Sequence, residues 1–247
     1  MPDVPPPLRP DPVEFFTGRL SKHPMPKGIS LPGQGGKFAT DGTVEVWPGN
    51  TFVCHVDPHS AAHAALRAMQ EEVKMSGFAP FFNFLPPASF HMTLFQGRSP
   101  DSEAAGIRPR GATPGMSVEA STAVFLAATE GVRLKPDFRI SMASLHACYS
   151  VTVTGADAAE EAGLREARRV LKDATGFAQP DFETYVFHIT LAYPAEWVSE
   201  PVARGIADLS HDLTERHRLA LTDFALGPVE LCSFETMHHF QPLRRLV

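Results

Sequence analysis

The chain has 247 residues, enough for one large domain or two small lobes, and a formal net charge of −6 with the histidines neutral. That charge argues against a protein that coats duplex nucleic acid, which needs a broad basic face, but leaves a small anionic substrate open. Three cysteines with no C-x-x-C pair argue against a disulfide framework or a thiolate zinc site. No apolar run reaches membrane-spanning length, and M-P-D-V-P-P-P-L-R-P-D-P has no secretory apolar core. The expectation is a reduced, cytoplasmic protein, a monomer with no membrane partner.

In chain order, residues 1–30 read as an extended proline-rich arm with a short helix near 13–20, since 8 of the 23 prolines fall in the first 26 residues. Residues 31–247 read as one bilobal domain. Asp41-Gly42 signals a hairpin flanked by 37–39 and 43–47. The glycine-rich segment before Lys37 is no phosphate loop, because Phe38 and a hairpin follow where Ser or Thr and a helix should. Strands are expected at 51–57, 88–96, 117–127, 138–144, 145–154, 184–192 and 229–236. Helices are expected at 60–75, 157–173 and 198–217, with a Gly/Pro/Ser-rich loop over 97–116.

A shift of 97 residues superposes three elements of the two halves without a gap. Strand 51–57 falls on 148–154, and the helix opening at Ser60 falls on the one opening at Asp157, both good N-caps. F-H-M-T-L at 90–94 falls on F-H-I-T-L at 187–191. A chain with 11 histidines and 16 threonines holds roughly one His-x-Thr triplet by chance, so the signal is the duplication of the whole unit. Lobe one is centred on 51–96 and lobe two on 145–192.

Strand periodicity then assigns faces. Phe90, Met92 and Leu94, with Phe187, Ile189 and Leu191, should pack on the helices, while His91, Thr93, His188 and Thr190 point the other way. Val53 and His55 in one unit, and Ser150 and Thr152 in the other, share that second face. The implied fold is α+β, a pseudo-twofold duplication of strand-helix-strand units with antiparallel sheets lining a central cleft and helices outside.

Two copies of His-hydrophobic-Thr-hydrophobic, H-M-T-L and H-I-T-L, resemble the hallmark of the two-histidine (2H) phosphoesterase superfamily. The stretches G-K-F-A-T-D-G-T-V and P-G-N-T-F-V-C-H are similar to a largely uncharacterised branch of it. The resemblance runs from about residue 36 to the C-terminus and implies a bilobal domain with a central groove. It implies His91, Thr93, His188 and Thr190 as catalytic residues, and a hydrolase that cleaves cyclic phosphates or processes short RNA ends.

The chemistry stands on the residues as well. Cleaving a 2′,3′-cyclic phosphate needs a base to activate water and an acid to protonate the departing oxygen, and imidazole serves as either near neutrality. Threonine hydroxyls on the same face can donate to non-bridging oxygens as charge develops. This scheme calls for no metal and no cofactor. His55, Lys37, Phe95, Tyr193 and Thr152 are candidate substrate contacts. Two other readings stay open: a nucleotide- or phosphate-binding protein that keeps the cleft without catalysis, and a metal hydrolase using His55, His59 and His63. Which histidine is acid and which is base is open too.

Overall fold

A computed structural model describes residues 9–247; the first eight residues of the proline-rich arm lie outside the described residues. In order along the chain come α1 (Pro12–Phe16), β1 (Ile29–Ser30), β2 (Phe38–Ala39), β3 (Gly49–His55), α2 (Ala61–Lys74), β4 (Phe82–Phe84), β5 (His91–Gln96), α3 (Pro100–Ala104) and α4 (Val118–Ala128). There follow β6 (Arg139–His146), β7 (Ser150–Gly155), α5 (Ala158–Thr175), β8 (His188–Thr190), β9 (Ala192–Pro194), α6 (Glu200–His217), β10 (Phe224–Ala225), β11 (Val229–Phe234) and β12 (Gln241–Arg245). The architecture is mixed α+β.

One eight-stranded sheet, in the order β10-β6-β7-β8-β5-β3-β11-β12, replaces the separate sheets expected of two lobes. The reason lies at its centre. β3 pairs antiparallel with β5, β7 pairs antiparallel with β8, and the two motif strands join each other through Met92 and Ile189. That single register pair carries the sheet from one strand–helix–strand unit to the other.

The helices form where the sequence places caps. Ser60 Oγ accepts from the His63 backbone N–H, and Asp157 Oδ1 accepts from the Ala159 and Glu160 N–H groups, which satisfies donors the first turn leaves free. α5 ends at Gly176, whose left-handed conformation (φ 65°) closes the last turn. The main core fills the helix side of the sheet with Phe52, Cys54, Phe90, Met92, Leu94, Val151, Val153, Phe187, Ile189 and Leu191. These are the residues that strand periodicity assigns to that face.

Residues 118–128 are helical, not a strand. The apolar, β-branched look of this stretch misleads. Ser117 Oγ caps the Ala120 N–H, Glu119 sits in the first turn where it favours the dipole, and four alanines carry the turns. The opposite face of the sheet carries a second apolar cluster that sequence periodicity did not reveal: Val53 and Cys232 covered by Ile29, Phe38, Trp47, Met237 and Phe240.

The segment 9–30 is packed onto the domain. Phe16 is fully buried against Phe82, and Phe15 stacks on Tyr149 at 5.4 Å between ring centroids. Phe16 O accepts from the Val198 N–H.

Candidate functional site

The two motif strands alternate as a half-open sheet face requires. His91, Thr93, His188 and Thr190 are partly exposed, and every apolar residue between them is buried. Because β5 and β8 are adjacent, all four polar side chains lie on one face of neighbouring strands.

Each motif strand is tied at its end by the helix of the other unit. Gln70 of α2 donates to Leu191 O at 2.8 Å, and Arg168 of α5 donates to Leu94 O at 2.6 Å. Leu94 and Leu191 close the two motifs at equivalent places. Both Gln70 and Arg168 are buried, and Arg168 also donates to Phe182 O and lies over the Tyr185 ring at 4.2 Å. Backbone carbonyls and aromatic faces take up a guanidinium that has no carboxylate partner among the described residues.

The histidines share one local device. His91 Nδ1 lies 2.7 Å from Ser89 O, and His188 Nδ1 lies 2.7 Å from Val186 O, in each case the carbonyl two residues back. A carbonyl can only accept, so the proton sits on Nδ1 and the neutral ring keeps its Nε2 lone pair free. Burial pushes His91 down to about 4, with the Ser89 carbonyl opposing and His55 adding to the fall. His188 falls further, to about 3, first through burial and then through the positive charge of Arg9. Both rings are neutral at pH 7.

Around His91, His55 is its direct register partner across β3 and β5, with ring centroids 6.1 Å apart. His55 Nδ1 lies 2.8 Å from Glu230 Oε2, and Arg245 holds the other carboxylate oxygen at 2.8 Å. Phe240 packs on the His91 ring at 4.1 Å. Around His188, Thr152 and Ser150 stand in register with His188 and Thr190. Lys37 Nζ reaches Tyr193 Oη at 3.3 Å and lies over its ring, and its charge adds to the lowering of His188.

Of the sequence candidates, then, His55, Thr152, Lys37 and Tyr193 gather around the motif residues. Phe95 does not. A bulge between Phe52 and Val53 shifts the register, and Phe95 turns into the helix-side core against Phe52, Phe177 and Phe182. Glu230, Phe240, Ser150 and Arg9 were missed as site residues. Glu230 and Phe240 are far away in sequence and carry no motif. Arg9 lies in the arm to which no role was given.

The triplet His55, His59 and His63 does not assemble. His63 is buried with Nε2 3.0 Å from Pro87 O, and His59 is exposed at the turn into α2. Among the described residues, the metal-compatible cluster is instead His55, Glu230 and Cys232. It suits an ion poorly. Both Glu230 oxygens are already engaged, one by His55 itself and the other by Arg245.

No helix among the described residues is long and apolar enough to cross a membrane. The fold is shared with a conserved protein of unknown function from Agrobacterium tumefaciens str. C58, which is 24% identical with a TM-score of 0.87 over 97% of this chain and 100% of that one. No curated protein matches the sequence. Residues 37–150 match the family model described as 2H-phosphodiest, a domain of unknown function (DUF1868). That match spans β2 to the start of β7 and includes the first motif, so this part of the chain is similar to a family that has no assigned function.

Proposed function

We propose that the protein is a phosphodiesterase that hydrolyses a small cyclic phosphate of the 2′,3′-cyclic nucleotide type, or a short RNA end, by two-histidine acid–base catalysis. The observation that carries this reading is the matched pair of imidazoles. Each is fixed by a carbonyl two residues back and presents a free Nε2 on the same sheet face as two threonine hydroxyls. The two strand–helix–strand units are read as a pseudo-twofold duplication about the Met92–Ile189 pair, which would set the histidines on either side of one phosphorus.

The neighbours divide the roles. His188 lies among positive charges, Arg9 and Lys37, which favour its neutral form, so it is the base that takes a proton from water. His91 has the less depressed pKa, and the anionic phosphate raises it further on binding, so it is the acid that protonates the leaving sugar oxygen. Thr93 and Thr190 donate to the non-bridging oxygens, where charge grows in the transition state. His55, oriented by Glu230, contacts the substrate beside His91. Tyr193 and Lys37 offer an aromatic face and a charge on the other side. The net charge of −6 fits a mononucleotide or short ligand better than a long polyanion.

The test is a screen of nucleoside 2′,3′-cyclic phosphates and short 3′- and 2′-5′-linked oligonucleotides, read by product mass, with and without chelator. The reading expects a ring-opened monophosphate from at least one substrate, unaffected by chelator. Binding without product would favour a non-catalytic nucleotide-binding protein instead.

A further inference from the structure

Beside His188 lies a cavity of about 450 Å³ between β6, β7, α6 and the N-terminal segment. Thr152, the register partner of His188, lines it, as does Val186, whose carbonyl fixes the His188 ring. The cavity adjoins the proposed catalytic face and shares Thr152 and Arg9 with the surroundings of His188.

Its walls are chemically unfinished. Among the described residues, nine buried side-chain nitrogen or oxygen atoms lack a hydrogen-bond partner, and three of them belong to this lining: Arg9 Nε, His146 Nε2 and Thr152 Oγ1. His146 and Thr152 are each more than nine-tenths buried. A native fold seldom leaves such groups unpaired, so bound water or a ligand in the cavity supplies their partners. Positive charge predominates on the lining. Three arginines line the cavity against a single carboxylate, Glu215, which Arg218 already holds. Arg165 is neutralised by Glu161. Arg9 has Ser150 Oγ as its one hydrogen-bond partner among the described residues, at 3.1 Å.

Arg9 is held in place by the segment that follows it. Asp11 caps α1, Phe15 packs on Tyr149 and His146, and Phe16 is buried. The β6–β7 turn beneath it is equally fixed, with Ala147 and Cys148 both at positive φ (45° and 59°) and both buried. A guanidinium with no carboxylate partner among the described residues, held beside unpaired polar atoms, is a preorganised anion site.

We propose that Arg9, with Thr152 and His146, forms a subsite for a second phosphate group of the substrate, so that the N-terminal segment completes the site. This rests on the phosphodiesterase reading for its link to catalysis, and it narrows the substrate to a phosphodiester carrying a further phosphate. The charge of Arg9 is felt at His146 and at His188, in accord with this placement.

Two measurements separate the subsite from the catalytic reading. Calorimetry with inorganic phosphate on the His91→Ala/His188→Ala protein should show binding, and adding Arg9→Gln should weaken it at least tenfold. Thr152→Val should weaken it by a smaller factor. No phosphate binding, or binding that Arg9→Gln leaves unchanged, overturns the subsite whether or not the protein is an enzyme. For the substrate class, kcat/KM is compared for adenosine 2′,3′-cyclic phosphate with and without a 5′-phosphate. The expected preference for the doubly phosphorylated compound is at least tenfold and collapses in Arg9→Gln. Equal use of both compounds by the wild type overturns the assignment to a second phosphate. Turnover of neither, with phosphate binding intact, overturns the catalytic reading and leaves the subsite standing.

Discussion

The two motif strands have matching backbones and different surroundings. At the first, His91 lies beside His55, whose Nδ1 is engaged by Glu230, and Phe240 covers the ring. At the second, His188 is flanked by hydroxyls of Ser150, Thr152 and Thr190, and Arg9 and Lys37, which have no carboxylate partner among the described residues, act on it as positive charges. The backbone repeats the tautomer; the neighbours break the symmetry of charge. Duplication can supply two imidazoles in one geometry, but a reaction that needs one acid and one base needs them to differ.

The largest effects should come from the histidines themselves. On the proposed substrates His91→Ala and His188→Ala should each lower kcat by about 10²–10⁴-fold, the usual span for a positioned acid or base. Steady-state kinetics checks this, and full activity in either variant would end the two-histidine scheme. Next come the crossed ties. Arg168→Met leaves the Leu94 and Phe182 carbonyls without their donor, which costs about 2–5 kcal/mol. Gln70→Leu removes the side-chain donor from Leu85 O and leaves Leu191 O with the Leu85 N–H alone, at about 1–3 kcal/mol. Urea unfolding measures both. If each helix positions the opposite motif strand, kcat should fall in both variants even where the protein stays folded.

The comparison can be sharpened with pH. Activity needs His188 neutral and His91 protonated, so the alkaline limb of kcat/KM should lie below the ordinary histidine value of about 6.5. In kcat, which reports the bound complex, the same limb should move up because the phosphate favours the imidazolium. Coincident limbs near 7 would show that burial does not set these values. Stability follows with the sign fixed by linkage. Both folded-state pKa values are depressed, to about 4 and about 3, so the stabilisation is complete above about 6.5 and is lost as pH falls toward those values. Replacing both histidines by alanine should therefore flatten acid destabilisation between pH 6.5 and 4.5, by on the order of 1 kcal/mol for each, as read by thermal melts. Glu230→Gln should have the smallest effect, a loss of about tenfold or less in kcat/KM, because it acts through His55.

How much of this was legible beforehand follows from what is local. Period-2 alternation correctly put Phe90, Met92 and Leu94 inside and His91 and Thr93 on the other face, since side-chain direction along a strand is set within a few residues. The N-caps at Ser60 and Asp157 were readable for the same reason. What failed was nonlocal or ambiguous. Residues 118–128 mix alanine with β-branched residues, and only their length and the Ser117 cap favour a helix. Phe95 followed the alternation up to a bulge that no residue announces. Glu230 and Arg9 reach the site from 175 and 141 residues away from the partners they contact, so no spacing rule could find them. The bonds from Gln70 and Arg168 to the opposite strands needed coordinates for the same reason.

The central claim, that the two histidines divide acid and base work, is tested most directly by changing the leaving group. A 4-nitrophenyl phosphodiester departs without help from an acid, whereas the sugar oxygen of a 2′,3′-cyclic phosphate needs protonation. The account predicts that His91→Ala recovers at least tenfold of its lost kcat, relative to wild type, on the nitrophenyl ester, while His188→Ala stays impaired on both substrates. Equal impairment of His91→Ala on the two substrates, or rescue of His188→Ala instead, would contradict it.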